Sequence, residues 1–190
     1  GVAGAKLRDE DMITTLIKTS AHAYLLFFTN RGKVYRLKVH RIPMVERGAQ
    51  GTAIVNLLRL ASDERVQAVI DTRDYESHRY LMFTTALGVV KKTRFNAYDS
   101  SRQDGLIAVN LRDGDELVEV LPVNDDDEVM LISSSGMGIR FAESDVRPMG
   151  RSAAGVRGMR LKRGDTVIGA AVLTPDTRLL TVTDAGFGKR

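Results

Sequence analysis

Four stretches of this chain follow one pattern, and a chain that repeats itself about every 50 residues has few folds open to it. They are YLLFFTNRGKVYRLKV from Tyr24, YLMFTTALGVVKKTRF from Tyr80, VMLISSSGMGIRFAES from Val129 and LLTVTDAGFGKR from Leu179. Each is an apolar run, then polar residues and a glycine, then a run carrying basic residues. The marker glycines are Gly32, Gly88, Gly136 and Gly186, spaced by 56, 48 and 50 residues. A second glycine follows 17 to 19 residues later, at Gly51, Gly105 and Gly155. After it come an apolar segment and an acidic turn, at Asp63-Glu64, Asp115-Glu116 and Asp165. Gly1 to Asp11 is ten residues, as are Gly105 to Asp115 and Gly155 to Asp165. The sequence therefore opens in the second half of one repeat, runs through three complete ones and stops in the first half of another. The repeat blocks are 1–20 (partial), 21–75, 76–125, 126–175 and 176–190 (partial), within one domain.

Within a repeat the pattern is β. The first run (Leu25–Phe28, Leu81–Phe83, Val129–Ile132, Leu179-Leu180) is short and continuously apolar, as in a strand buried on both faces. The glycine sits where the chain must reverse, in turns such as Thr29-Asn30-Arg31-Gly32, and a tight hairpin turn needs the positive φ that glycine adopts freely. The next run alternates: Tyr35, Leu37 and Val39 point one way, Arg36, Lys38 and His40 the other. Two further short β-rich runs follow, for example Ala53–Leu58 and Val66–Ile70. About four strands in about 50 residues is the arithmetic of a bladed wheel. The fold class is all-β. A short helix around Asp9–Ile17 stays open, and no segment carries an extended helical period.

Composition removes several chemistries. With no Cys there is no disulfide, thiolate metal site or thiol nucleophile, which is compatible with the cytosol. The apolar runs are four or five residues long, against about 20 for a membrane-spanning helix, and no signal peptide is visible. His22, His40 and His78 lie far apart, with no metal-binding spacing. There is no phosphate-loop or nucleophile-elbow motif, and the G-x-G pairs Gly136/Gly138 and Gly186/Gly188 lie in hairpins, not at a strand-to-helix junction. The acids recur periodically at turns, whereas a catalytic pair should be unique. The reading is non-enzymatic, with no cofactor and no metal.

The charge pattern is more specific. There are 28 Lys+Arg against 24 Asp+Glu, a net +4, but the signs are segregated. Four residues after every marker glycine stands a cation: Arg36, Lys92, Arg140 and Arg190. Strand parity puts that position on the polar face, which Lys38 and Arg94 share. Arg31 to Arg41 holds five cations (Arg31, Lys33, Arg36, Lys38, Arg41) and no acid. Val146 to Arg163 holds six (Arg147, Arg151, Arg157, Arg160, Lys162, Arg163), again with no acid. Edge strands carry lysine to prevent sticking, but a cation in one register in every repeat predicts a positive belt around the wheel. Few aromatics are interleaved, so the expected contacts are to duplex phosphates, positioning DNA without reading its sequence.

At these residues the sequence becomes recognisable. FFTNRGKVYRLKVHRIP, RGAQGTAIVNLL, GVVKKTRF, LIAVNLRDGDEL, IRFAESDVRPMGRSAAGVRGMRL and DAGFGKR resemble the C-terminal domain of bacterial DNA gyrase A along nearly the whole chain. The resemblance implies a six-bladed β-pinwheel whose basic rim wraps duplex DNA and so lets the holoenzyme introduce negative supercoils in the bacterial cytoplasm, at the nucleoid. Its partners would be the rest of gyrase A, which holds the DNA-cleaving tyrosine, and gyrase B, which hydrolyses ATP. The matching rim residues are Arg36, Lys38, Lys91, Lys92, Arg94, Arg140, Lys189 and Arg190, with loop residues Arg47, Arg102 and Arg151. One departure matters. The family's Q-R-R-G-G-K-G box is missing, with ERGAQG and GRSAAG as degenerate echoes. Gly1 aligns with the box's last glycine, which places the box just upstream. Without it, the resemblance implies binding and some bending but poor wrapping. Six repeats need about 300 residues, so this is about two-thirds of a wheel. Two alternatives are the corresponding C-terminal domain of topoisomerase IV and a β-propeller scaffold for protein partners. The scaffold predicts affinity that depends little on salt.

Overall fold

The computed structural model describes residues 13–46, 49–99, 105–176 and 178–189. Each marker glycine closes a hairpin. Strands β1 (Tyr24–Thr29) and β2 (Lys33–Lys38), β4 (Tyr80–Thr85) and β5 (Val89–Arg94), and β8 (Glu128–Ser133) and β9 (Gly138–Ala142) pair antiparallel. The last hairpin joins β12 (Thr181–Val182) to β13 (Gly188–Lys189). Gly32, Gly88, Gly136 and Gly186 all have φ between +71° and +83°, the region predicted for them.

A third strand joins each of the first three hairpins on the side of its first strand: β3 (Val66–Asp71), β7 (Leu117–Val123) and β11 (Val167–Leu173). β7 lies beside both β3 and β11, so these strands form the hub. The fourth strand comes from the following repeat. β6 (Leu106–Ile107) adds to the outer edge of β2, and β10 (Val156–Arg157) to that of β5, giving the orders β3-β1-β2-β6 and β10-β5-β4-β7. The marker glycines accept these crossings. Gly32 takes the N–H groups of Ala108 and Val109 on its carbonyl, and Gly88 those of Gly158 and Met159. A Cβ on Gly88 would stand 2.6 Å from the Met159 carbonyl oxygen, so close approach as well as positive φ requires glycine there.

The all-β expectation holds, with two local corrections. Ala53–Leu58 is not a strand: Ile54–Asn56 forms a 3-10 turn. The matching segments after Gly105 and Gly155 are strands because a neighbouring blade receives them, and no described blade stands beside this one. The alternating run of β2 ends at Lys38, and Val39–Arg41 is a 3-10 turn. Of the helix left open around Asp9–Ile17, residues up to 12 lie outside the described residues, and 13–17 have no regular structure.

Blades pack through the apolar faces of their middle strands. Leu26, Phe28, Val34 and Ile70 of the first blade meet Leu81, Phe83, Phe95 and Tyr98 of the second, with the Phe28 and Phe83 rings edge to face at 5.5 Å. Tyr80, Met82, Val90 and Val123 meet Val129, Leu131, Val146 and Val167 in the same way. The continuous apolar runs are thus buried on both faces: every residue of β4 is buried. Burying such a side chain contributes roughly 1.5–3 kcal/mol.

Candidate nucleic-acid interface

In a wheel built this way, solvent is met at two kinds of place. One is the outermost strands with the loops that cross them, the other the turns at either end of the blades. β2 and β5 are neither. They are flanked by strands on both edges, and the faces of β5 meet blades on both sides. Residues alternating along β5 therefore point toward the blades on either side, and those along β2 toward the second blade or toward Leu25, Phe27 and Leu58 of their own repeat.

This overturns the outward placement of two predicted rim lysines. Lys91 and Lys92 are buried, 1% and 4% exposed. Lys91 Nζ donates to the carbonyls of Ala108 (2.6 Å) and Arg151. Lys92 Nζ forms an ion pair with the equally buried Glu143. Arg36, in the same register as Lys92, is half-buried. Its Nη1 donates to the Asp99 carbonyl, and its guanidinium lies 3.7 Å over the Tyr24 ring. Lys38 lies over the same ring at 5.3 Å.

The remaining predicted cations scatter. Arg31 is exposed at the hairpin tip and pairs with Asp63. Arg140 is exposed and pairs with Glu128 at 3.0 Å. Arg41 lines a cavity of about 230 Å³ with Leu37, Asn56, Leu57 and Arg59, on the flank of the first blade. Lys33 is half-buried at the outer edge, paired in register with Ile107 of β6, and Arg94 is exposed at the end of β5. Arg47, Arg102 and Arg190 lie outside the described residues, as does the side chain of Lys189, whose backbone is in β13.

What the structure does gather is the acid-free run from Val146 to Arg163. Met149 N–H donates to the Lys92 carbonyl at 2.7 Å, and Pro148 bridges Lys92, so the loop lies along the outer edge of β5. Gly155 comes so close that a Cβ would stand 2.4 Å from the Val90 carbonyl oxygen. β10 then completes the edge, with Val156 opposite Val90 and Arg157 opposite Val89. Arg147 and Arg157 are exposed along this edge. Arg160, Lys162 and Arg163 are exposed beyond it, where the chain has crossed Gly88 at the hairpin tip and Lys162 opens the turn that ends at Asp165. None of the five forms an ion pair among the described residues. Arg151 is half-buried, and its Nη1 donates to the Ile107 carbonyl of β6 at 2.8 Å, joining the loop to the first blade's edge. Arg157, Arg160, Lys162 and Arg163 were visible as an acid-free run but were not placed in the site. They lie outside the register set by the marker glycines, which picks out one cation per repeat.

The periodic acids have a structural task. Thr85 Oγ1 donates to Asp115 at 2.6 Å, Thr29 Oγ1 to Glu64 at 2.7 Å, and the hydroxyls of Ser134 and Ser135 to Asp165 at 2.7 and 2.6 Å. Each acid clasps the hairpin tip of its own repeat. These donors, above all the serine hydroxyls, hold the Asp165 carboxyl well below the usual carboxylate range.

Residues 23–73, 79–124 and 127–174 match a family described as the DNA gyrase C-terminal domain, β-propeller. The chain is 42% identical over 192 aligned positions to the DNA gyrase A protein of Mycolicibacterium smegmatis, covering 100% of this chain and 23% of that protein. Among solved structures it resembles the C-terminal domain of DNA topoisomerase IV, with a TM-score of 0.87, 31% identity, and coverage of 96% of this chain and 57% of the other. It also resembles the DNA gyrase A C-terminal domain, with a TM-score of 0.74, 25% identity and coverage of 99% and 62%.

Proposed function

Because this chain belongs to the DNA gyrase C-terminal domain family, we propose that it binds duplex DNA along the outer edge of its blades and bends it there, without reading sequence. The observation that carries this is the set of exposed cations Arg147, Arg157, Arg160, Lys162 and Arg163, none in an ion pair among the described residues, in a segment that holds no acid from Val146 to Arg163. Exposed guanidinium and ammonium groups suit phosphate oxygens, and no aromatic side chain interrupts the run Val146–Arg163 to stack on bases. Lys33 and Arg94, and Arg151 through its remaining donors, extend the set. In the parent protein this edge would feed DNA to a strand-passing core made by the rest of gyrase A with gyrase B, in the bacterial cytoplasm. It would thereby support ATP-dependent negative supercoiling, with cleavage and ATP hydrolysis outside this chain.

The test is binding to a linear duplex across a salt series. Six phosphate contacts give a log–log slope of roughly −5. Replacing Arg147, Arg157, Arg160 and Lys162 together by Ala should make it shallower by about 3 to 4, equally on unrelated sequences. No binding at about 50 mM salt, or a slope near zero, would refute the reading and favour a protein-binding scaffold.

A further inference from the structure

Each joint between described blades is crossed by a cation from the same register. At the first joint Arg36 of β2, opposite Leu26 of β1, reaches the Asp99 carbonyl just beyond the 3-10 turn Phe95–Tyr98 of the second blade. At the second joint Lys92 of β5, opposite Met82 of β4, reaches the carbonyl of Glu143 at 3.2 Å and its carboxylate, at the start of the 3-10 turn Glu143–Asp145 of the third blade. Each cation also lies over the tyrosine that opens its own blade, Tyr24 at 3.7 Å and Tyr80 at 4.9 Å. In the third blade no further blade follows among the described residues. There Glu128 stands where the tyrosine was, and Arg140 turns back to it at 3.0 Å.

Apolar packing between blades is non-directional and permits small rotations. The cation-to-turn bonds have direction. The second is a buried ion pair, 4% and 2% exposed, a device that stabilises little relative to apolar side chains of similar size but accepts few geometries. Lys92 also carries the basic loop, because its own carbonyl holds Met149 N–H at 2.7 Å. A rotation at this joint therefore carries Arg147 and Arg151 with it. We infer that Arg36 and Lys92 are positioning residues that fix the angle between successive blades and, through it, the curvature of the basic edge. The curvature clause rests on the DNA-binding reading; the joint itself does not.

The absence of cysteine allows a direct test. Donor and acceptor dyes on Ser62→Cys in the first blade and Asp176→Cys after β11 report the relative placement of the blades by energy transfer. A duplex labelled at both ends reports the bend. Lys92→Met with Glu143→Met removes the pair without leaving a buried charge, and a retained urea midpoint shows that the domain still folds. The expected result is a shifted transfer efficiency in the free protein and a smaller DNA bend. The salt slope should stay within about 0.9, one phosphate contact, of the parent. Arg36→Met tests the first joint independently, since its acceptor is a backbone carbonyl and no charge is stranded. Unchanged transfer and bend in both variants would overturn the inference. A slope shallower by a full contact would too, because these residues would then be touching phosphate. If the parent protein binds no duplex, the DNA reading fails, and the dye measurement still decides the joint.

Discussion

Replacing Lys91 by Met should change how stability depends on pH, and the structure gives sign and size. The side chain is 1% exposed, with Nζ 5.1 Å over the Phe83 ring. Its hydrogen-bond acceptors are two carbonyls, of Ala108 and Arg151, which match the two hydrogens of a neutral amine. Burial, and secondarily the charge of Arg151, pull its pKa from the ordinary 10.5 to about 7. As pH rises the folded chain releases this proton first, near 7, while the unfolded chain holds it until about 10.5. Over that window the unfolded state binds more protons, so stability rises with pH. At 1.36 kcal/mol per pKa unit, the gain between pH 7 and pH 9 is about 2 kcal/mol. Lys91→Met abolishes the gain. It leaves the Ala108 carbonyl with the Tyr98 hydroxyl at 3.1 Å, but the Arg151 carbonyl loses its lysine donor, at a cost of about 1–3 kcal/mol if no water replaces it. The variant should be clearly less stable at pH 9 and close to the parent at pH 6. Urea midpoints at constant m, taken from pH 6 to 9.5, measure this. A parent profile that is flat or falling from pH 7 to 9, or a Met variant that keeps the rise, would refute the buried-amine account.

Two further outcomes follow from the same architecture. Gly88→Ala meets φ +80° and the Met159 carbonyl together, so a loss of at least about 1–3 kcal/mol is expected in the urea midpoint; a substitution that left stability unchanged would mean that the crossing strand does not pass there. Asp115→Ala removes the acceptor of Thr85 Oγ1 and of the Leu87 and Glu116 N–H groups, and should lower stability by about 1.5–3 kcal/mol with protection from amide exchange lost first at the hairpin tip. Exchange that rises uniformly along β4 and β5 instead would count against a local clasp.

The hairpins and the all-β architecture were legible because they depend on local chemistry: glycine where φ is positive, and apolar runs such as Leu25–Phe28 that only a doubly buried strand accommodates. The exchange of strands was not. β6 and β10 are two residues each, and nothing in Leu106-Ile107 or Val156-Arg157 says whether the partner lies in their own repeat or the preceding one. Alternation separated the two faces of β2 but could not say what each would meet. In a wheel the face opposite the core is the next blade, so the cation at Arg36 and Lys92 became a tie between blades. The informative sign was the absence of acid from Val146 to Arg163, a property of a whole segment.

That absence follows from how the hairpins are held. Glu64, Asp115 and Asp165 are fixed at the hairpin tips, because a carboxylate there takes a strand-end hydroxyl and, in the later two repeats, the tip N–H groups of Leu87 and Ser135. A second set of acids answers cations at the turns: Asp63 with Arg31, Glu116 with Arg65, Asp125 with Arg79. Carboxylates placed by these local needs sit in the turns at the ends of the blades, and the loop along β5 takes none. A net charge of only +4 then coexists with one strongly positive edge. An edge of that kind attracts a polyanion over several ångströms, and salt weakens the attraction as the screening length shortens. Sign segregation in a repeat protein of this type is therefore better sought between turns and crossing loops than between alternate residues of a strand.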